Sequence, residues 1–254
     1  MLSDRDLERY ARQVIMPDIG EAGQEALLAA KVLVVGAGGL GAPAMLYLAS
    51  AGVGNITIID DDIVSRSDLN RQIIYQTQDI GCQKNKQAAA AAKKLNPDIK
   101  LSTLPVRATI GNIRKLVAAH DVIVDCSDNV ETRYLLGDTA HREKTPLVFG
   151  GAVRTEGQIA VFQSGIAGFE DSPCFRCVFP AMPDANQAPG CSEAGILGPV
   201  TGVIGSMQAL EVIKLITGMG NNLTGQLILF DGFNGNIMQI TTRKRSECIC
   251  CGVK

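Results

Sequence analysis

The chain has 254 residues, 46% hydrophobic and 20% charged, with a formal net charge of −2. It is long enough to bury a substantial core, and it lacks the basic excess of a protein that binds nucleic acid or an anionic membrane. The first residues, Met1 to Asp6, are charged rather than signal-like, and Gly, Pro or polar residues break the apolar stretches before they reach the ~20 residues of a membrane span, so the expected address is cytoplasmic.

Residues 3 to about 30 read as helical, with Ser3 as N-cap and Gly20-Glu21-Ala22-Gly23 as a break between two helices. Apolar runs then alternate with helical stretches. Strands are predicted over 32–35, 56–59, 99–106, 121–125 and 147–149; helices are predicted over 40–51, through the alanine run 88–92, over 112–119 and ahead of 147. This alternation predicts a Rossmann-like α/β fold with a doubly wound, mainly parallel sheet. After Gly151 the strands at 159–162, 227–230 and 237–242 are interrupted by a single helix near 203–216, which predicts an antiparallel extension. The stretch 180–189 holds three prolines and reads as a loop. With no repeat and no linker, the expectation is one domain over 1–254: N-terminal helices at 3–30, a nucleotide-binding core at 31–150, and an extension with a metal site at 151–254.

The run Val32-Leu33-Val34-Val35 passes directly into Gly36-Ala37-Gly38-Gly39-Leu40-Gly41, a strand turning into a helix through G-x-G-x-x-G spacing. Glycines allow a tight turn and close backbone approach to a phosphate, and the helix N-terminus offers unpaired N–H groups to it. Alone the motif indicates a nucleotide, most often NAD. Asp60, at the end of the second strand, stands where a carboxylate can take ribose hydroxyls, though Asp60-Asp61-Asp62 would also suit a solvated turn. Further on come Ser67-Asp68-Leu69-Asn70-Arg71-Gln72 and Lys84. Arg71 and Lys84 near a phosphate loop suit a triphosphate, although Lys84 taken alone reads as a surface lysine. Asp128 closes the strand 122–128 at the carboxyl edge of the sheet, where ligands collect and Mg²⁺ can be held.

Eight cysteines in a cytoplasmic chain are thiols or metal ligands rather than disulfides. Cys174-x-x-Cys177 and Cys248-x-x-Cys251 supply four thiolates, the set for a closed tetrahedral zinc site that adds folding free energy and leaves no open position; unrelated thiols are the plainer alternative. Cys250 permits other pairings, and the matching two-residue spacing selects Cys248 with Cys251. Cys191, on a loop ahead of a helical segment, reads equally as a nucleophile or sulfur carrier and as an inert thiol. Cys82 and Cys126 read as structural, and His120 and His141 as structural or surface residues, which leaves little support for a His-based triad. Arg243-Lys244-Arg245 reads as a solvated strand end or a contact for an acidic partner.

Over essentially its whole length the chain resembles the MoeB/ThiF group of the ubiquitin-activating-enzyme superfamily. The resemblance rests on Arg9-Tyr10-Ala11-Arg12-Gln13, the Gly36–Gly41 loop, Leu69-Asn70-Arg71-Gln72, Lys84, Asp125-Cys126-Ser127-Asp128-Asn129 and the two cysteine pairs. The stretch from Val153 to Gln158 is similar to the MoeB branch, and Leu229-Phe230-Asp231-Gly232 to ThiF. The resemblance implies ATP- and Mg²⁺-dependent adenylation of the C-terminal Gly-Gly of a ubiquitin-like sulfur carrier, with pyrophosphate released, for sulfur transfer in molybdopterin or thiamine biosynthesis. It implies nucleotide contacts from Gly36, Gly38, Gly39, Gly41, Asp60, Asn70, Arg71, Lys84, Asp128 and Asn129, with Gly39 against the nucleotide, Asp60 on the ribose, Arg71 and Lys84 on the phosphates and Asp128 on Mg²⁺. It further implies a homodimer in which Arg12 reaches the neighbouring subunit's site, a role for Cys191 in sulfur or thioester chemistry, and a sulfur donor such as a cysteine desulfurase. No nucleic acid or membrane partner is implied. One position departs from the pattern: Asp68 stands where the family usually has Asn, and a carboxylate near phosphates is unfavourable unless paired or turned away. Two other function classes compete. An NAD(P)-dependent oxidoreductase leaves Arg12, Arg71, Lys84 and Asp128 without a task, and a non-catalytic zinc scaffold would not need Arg71, Lys84 and Asp128 intact.

Overall fold

The computed structural model describes residues 1–182 and 194–252. Two helices lead in, α1 (Asp4–Val14) and α2 (Gly20–Ala29). Ser3 caps α1 in a reciprocal capping box with Asp6, as the sequence suggested. The break falls earlier than expected: Gly20 to Gly23 open the second helix, and the first ends before Pro17, which has no N–H to give and disfavours helix in the residue ahead of it.

The core is one eight-stranded sheet in the order β3-β2-β1-β4-β5-β6-β7-β8. Strands β1 (Lys31–Val35), β2 (Asn55–Ile59), β3 (Lys100–Leu104), β4 (Val122–Asp125) and β5 (Leu147–Val153) pair in parallel; β6 (Glu156–Phe162), β7 (Gln226–Asp231) and β8 (Asn236–Thr241) continue the sheet antiparallel. Both parts agree with the predicted α/β architecture. Strand β1 is buried at four of its five residues, as a strand covered on both faces must be. One face is covered by α3 (Gly41–Ala51), α4 (Lys84–Leu95) and α8 (Gly198–Thr217), the other by α5 (Ile113–Ala118), α6 (Val130–Glu143) and the single turn α7 (Phe175–Val178). Buried Ala88 and Ala92 let α4 sit close to its neighbours.

Helix α8 begins earlier than the expected 203; it meets the length and mean composition of a membrane span, yet Gly205, Ser206, Gln208, Glu211 and Lys214 interrupt it as the sequence reading has it. Here it packs on the sheet. Its buried Gln208 donates to the Asp125 carbonyl (2.7 Å), which pins the helix to the end of β4. Strand β4 stops at Asp125 rather than Asp128, because Ser127 turns back to donate its N–H and hydroxyl to Asp125 Oδ1 (3.0 and 2.6 Å), and Asn129 then caps α6.

Candidate active site

Strand order reverses around β1, whose neighbours are β2 and β4, and ligands collect at the carboxyl ends of strands at such a switch point. A cleft of ≈ 290 Å³ opens there. The loop after β1, the acidic turn after β2, the segment carrying Arg71, the first residue of α4 and the loop after β4 all line it.

The glycine loop is shaped by close approach. Gly36 has φ +96°, and a Cβ on it would lie 2.6 Å from the Cys126 carbonyl oxygen. Gly36, Gly38 and Gly39 face the cleft; Gly41 sits behind, where a Cβ would collide with the Gly36 carbonyl. A Cβ on Gly39 would press on Thr201 at 3.1 Å, so the first turn of α8 closes over the loop.

Asp60 accepts the Ala37 N–H on Oδ2 (2.7 Å) and the Asp62 N–H on Oδ1 (2.9 Å), which ties the acidic turn to the glycine loop. Burial pushes its carboxyl above the usual range against those two hydrogen bonds. Arg71 donates through Nη1 to the Ser67 carbonyl (2.7 Å) and to Asn70 Oδ1 (3.1 Å), and through Nη2 to Asp68 (3.2 Å). Asn70 itself is exposed and is not among the lining residues; its visible task is to steer Arg71. Lys84 is no surface lysine: it is 6% exposed and donates to Asp62 Oδ2 (3.0 Å). Burial works against its charge, but Asp62, Asp68 and Asp60 outweigh it and hold the ammonium above its ordinary range, so it is a cation at neutral pH. Asp128 is exposed at the cleft, and Asn129 lines it while its side chain accepts the Thr132 N–H (2.9 Å).

Two predicted residues are not brought together with these. Arg12 is exposed in the last turn of α1, outside the cleft lining. Cys191, with most of the proline-rich stretch 180–189, lies outside the described residues. Conversely, the cleft includes Asp62 and Gln72, which stand in the quoted motifs without a role of their own, and Thr201 and Arg133, which motif reading passed over. Arg133 donates to the Ser127 carbonyl (3.1 Å) and lies 5.5 Å from the Phe149 ring centroid. Its signal was available: it stands one helical turn after Asn129, on the same face of α6.

Away from the cleft, the Sγ atoms of Cys174, Cys177, Cys248 and Cys251 lie within 4.8 Å of one another, with separations of 3.8 Å (174–177), 3.5 Å (174–248) and 3.3 Å (177–251). A tetrahedral zinc with Zn–S bonds of about 2.3 Å needs sulfur–sulfur edges of ~3.8 Å, so the donor set fits zinc, and the choice that Cys250 left open falls to Cys251. Burial pushes the Cys177 and Cys251 thiols up, and a dication among them would favour the thiolates. Cys174 caps α7, which Arg176 fastens to α6 through two hydrogen bonds to Asp138 (2.7 and 2.8 Å). The site therefore clamps the C-terminal turn to the middle of the chain.

The ThiF family model matches residues 10–251. The chain belongs to the ThiF family. It is 42% identical, over 97% of its own length and 91% of the relative's, to the sulfur carrier protein adenylyltransferase of Thermus thermophilus. To the SAMP-activating enzyme E1 of Haloferax volcanii it is 41% identical, over 99% and 91% of the two chains. The mouse adenylyltransferase and sulfurtransferase MOCS3 is 42% identical over 99% of this chain, which spans 54% of that longer protein. The fold is shared with Escherichia coli MccB, seen in a crystal structure with MccA-N7isoAsn, at a TM-score of 0.84 and 22% identity over 96% of this chain and 75% of that one. ThiF-family membership agrees with the glycine loop, the Arg71 segment and the paired cysteines.

Proposed function

We propose that this ThiF-family protein is an adenylyltransferase that uses ATP and Mg²⁺ to activate the C-terminal glycine of a ubiquitin-like sulfur carrier. The observation that carries the reading is convergence: Asp60, Arg71, Lys84 and Asp128 come from four separate segments and line one cleft with the glycine loop. The 41–42% identical relatives, a sulfur carrier protein adenylyltransferase and a SAMP-activating enzyme E1, support the same chemistry.

The carrier carboxylate attacks the α-phosphorus of ATP, the bond to the bridging oxygen breaks, and pyrophosphate leaves an acyl-adenylate behind. The chain's contribution is positioning and charge. Asp60 takes the ribose hydroxyls, the backbone at Gly38 and Gly39 lies against the phosphates, and Arg71 and Lys84 oppose the charge that builds on the leaving pyrophosphate. Asp128 would hold Mg²⁺, which supplies further charge neutralisation when bound. A second hollow of ≈ 440 Å³ on the antiparallel extension, lined by Gln158, Phe230, Asp231 and Met238, adjoins the cleft at Ala152 and offers an extended Gly-Gly tail a route to it. The reading includes a cytoplasmic homodimer in which Arg12 completes the neighbouring site, Cys191 acting after adenylation in sulfur or thioester chemistry, a sulfur donor such as a cysteine desulfurase, and service to molybdopterin or thiamine biosynthesis. ATP–pyrophosphate exchange tests it: exchange should appear only with a carrier ending in Gly-Gly. Its absence with every such carrier from the same cell would overturn the reading.

A further inference from the structure

Asp68 lies between the two cations of the cleft, Arg71 and Lys84. It is 6% exposed and is not among the cleft-lining residues, whereas Arg71 and Lys84 are. Its Oδ1 accepts from Arg71 Nη2 (3.2 Å) and Gln72 Nε2 (3.0 Å). Its Oδ2 accepts the Ser65 N–H (2.9 Å) and hydroxyl (3.0 Å) and lies 3.6 Å from Lys84 Nζ. Burial alone would raise its pKa, but the Ser65 N–H, Lys84 and Arg71 outweigh it, so the carboxyl sits below its ordinary range and is ionised at neutral pH. The carboxylate therefore takes up the same guanidinium and ammonium charges that a polyphosphate needs, without itself lining the cleft.

We propose that Asp68 is a built-in counter-charge that attenuates the polyphosphate site: it competes with ATP and pyrophosphate for Arg71 and Lys84, weakens their hold and speeds pyrophosphate release. The inference rests on the reading of the cleft as an ATP site. Like charges repel, and a fixed negative charge beside two cations lowers the potential they present to an incoming or departing anion. Asp68 is a positioning and tuning residue here, since it acts through Arg71 and Lys84 rather than by touching phosphate.

The test is calorimetric binding of ATP, pyrophosphate and adenosine to the wild-type protein, to Asp68→Asn, to Arg71→Gln/Lys84→Met and to the triple variant. The amide keeps the size of the carboxylate, so the fold should survive, which a melting curve checks. ATP and pyrophosphate should bind Asp68→Asn at least about fivefold more tightly while adenosine affinity stays within twofold. The gain should vanish in the triple variant relative to Arg71→Gln/Lys84→Met, because the cations that transmit it are gone. A purely structural role would shift adenosine and ATP together. Unchanged or weaker ATP binding, or a gain that persists without the two cations, would overturn the inference while leaving the cleft's assignment intact. Failure of the wild-type protein to bind ATP would overturn both.

Discussion

At the scale of single residues, what the sequence could show was residue type and spacing, and what it could not show was which groups face one another. Asp60, Arg71 and Asp128 were legible because each follows a strand or sits in a dense motif. Lys84 was misread when taken alone, because its burial comes from Asp62 and Asp68, partners 22 and 16 positions away, whose approach depends on the fold. On the proposed reading, in which Arg71 and Lys84 oppose the charge on the leaving pyrophosphate and Asp128 holds Mg²⁺, Arg71→Ala and Asp128→Ala should each lower pyrophosphate exchange on the order of 10²-fold or more. Cys191→Ser should leave exchange near wild type while abolishing later sulfur transfer, and loss of exchange in that variant would place the cysteine in the first half-reaction instead. Asp68 also carries a pH signature. Its folded pKa lies below the ordinary 3.8, so its ionised form contributes stability above that value, and the contribution is lost as pH falls through the folded pKa. The wild-type protein should therefore melt above Asp68→Asn at pH 7, and the gap should narrow in acid below about pH 4, as thermal melts across pH will show.

At the scale of elements, the parallel half of the sheet was readable because buried parallel strands are continuous apolar runs, and β1 and β2 fell within a residue of their expected limits. Ends were harder to place, since they are set by contacts the periodicity does not contain. Strand β5 runs on to Val153 because it pairs along its full length with β6, and β4 stops early because Ser127 folds back onto Asp125. The glycine loop shows the same division. Its spacing announced a tight turn, but only the fold shows that Gly41 serves packing against the Gly36 carbonyl while Gly36, Gly38 and Gly39 serve the cleft. Gly41→Ala should consequently push α3 away from the loop, at a cost of about 1–3 kcal/mol of overpacking. For a chain of this size that corresponds to a melting temperature lowered by roughly 2–12 °C, with ATP affinity falling alongside. A Gly41→Ala protein with wild-type melting and ATP affinity would show that the helix can tilt to absorb the methyl group.

At the scale of the whole molecule, one feature ties distant parts of the chain together, and one residue bears on a second copy of it. The cysteine cluster joins α7 to the C-terminal turn across 74 positions of sequence in each of its two cross-links, 174 to 248 and 177 to 251. Closing so long a loop through a metal transfers binding free energy into folding. Purified protein should contain close to one zinc per chain, and Cys248→Ser should lose the metal together with thermal stability; a metal-free protein that melts as high as wild type would remove zinc from the structure's support. Arg12 poses the opposite case: a motif residue that its own fold leaves exposed and outside the cleft lining. A cation the fold leaves outside its own cleft can serve that site only if another copy presents it. The cleft has cations from Arg71 and Lys84 for the leaving pyrophosphate, so an Arg12 supplied by a second copy would add charge at a point this chain does not cover. Mixing Arg12→Ala chains with Asp128→Ala chains then has a defined outcome. Each homodimer is inactive, but the mixed dimer assembles one site with both residues intact, and statistical exchange should restore about a quarter of wild-type exchange activity, the share of intact sites in a random mixture. Absence of rescue, with subunit exchange demonstrated by mass-tagged chains, would confine the active site to a single protomer and leave Arg12 to a surface role.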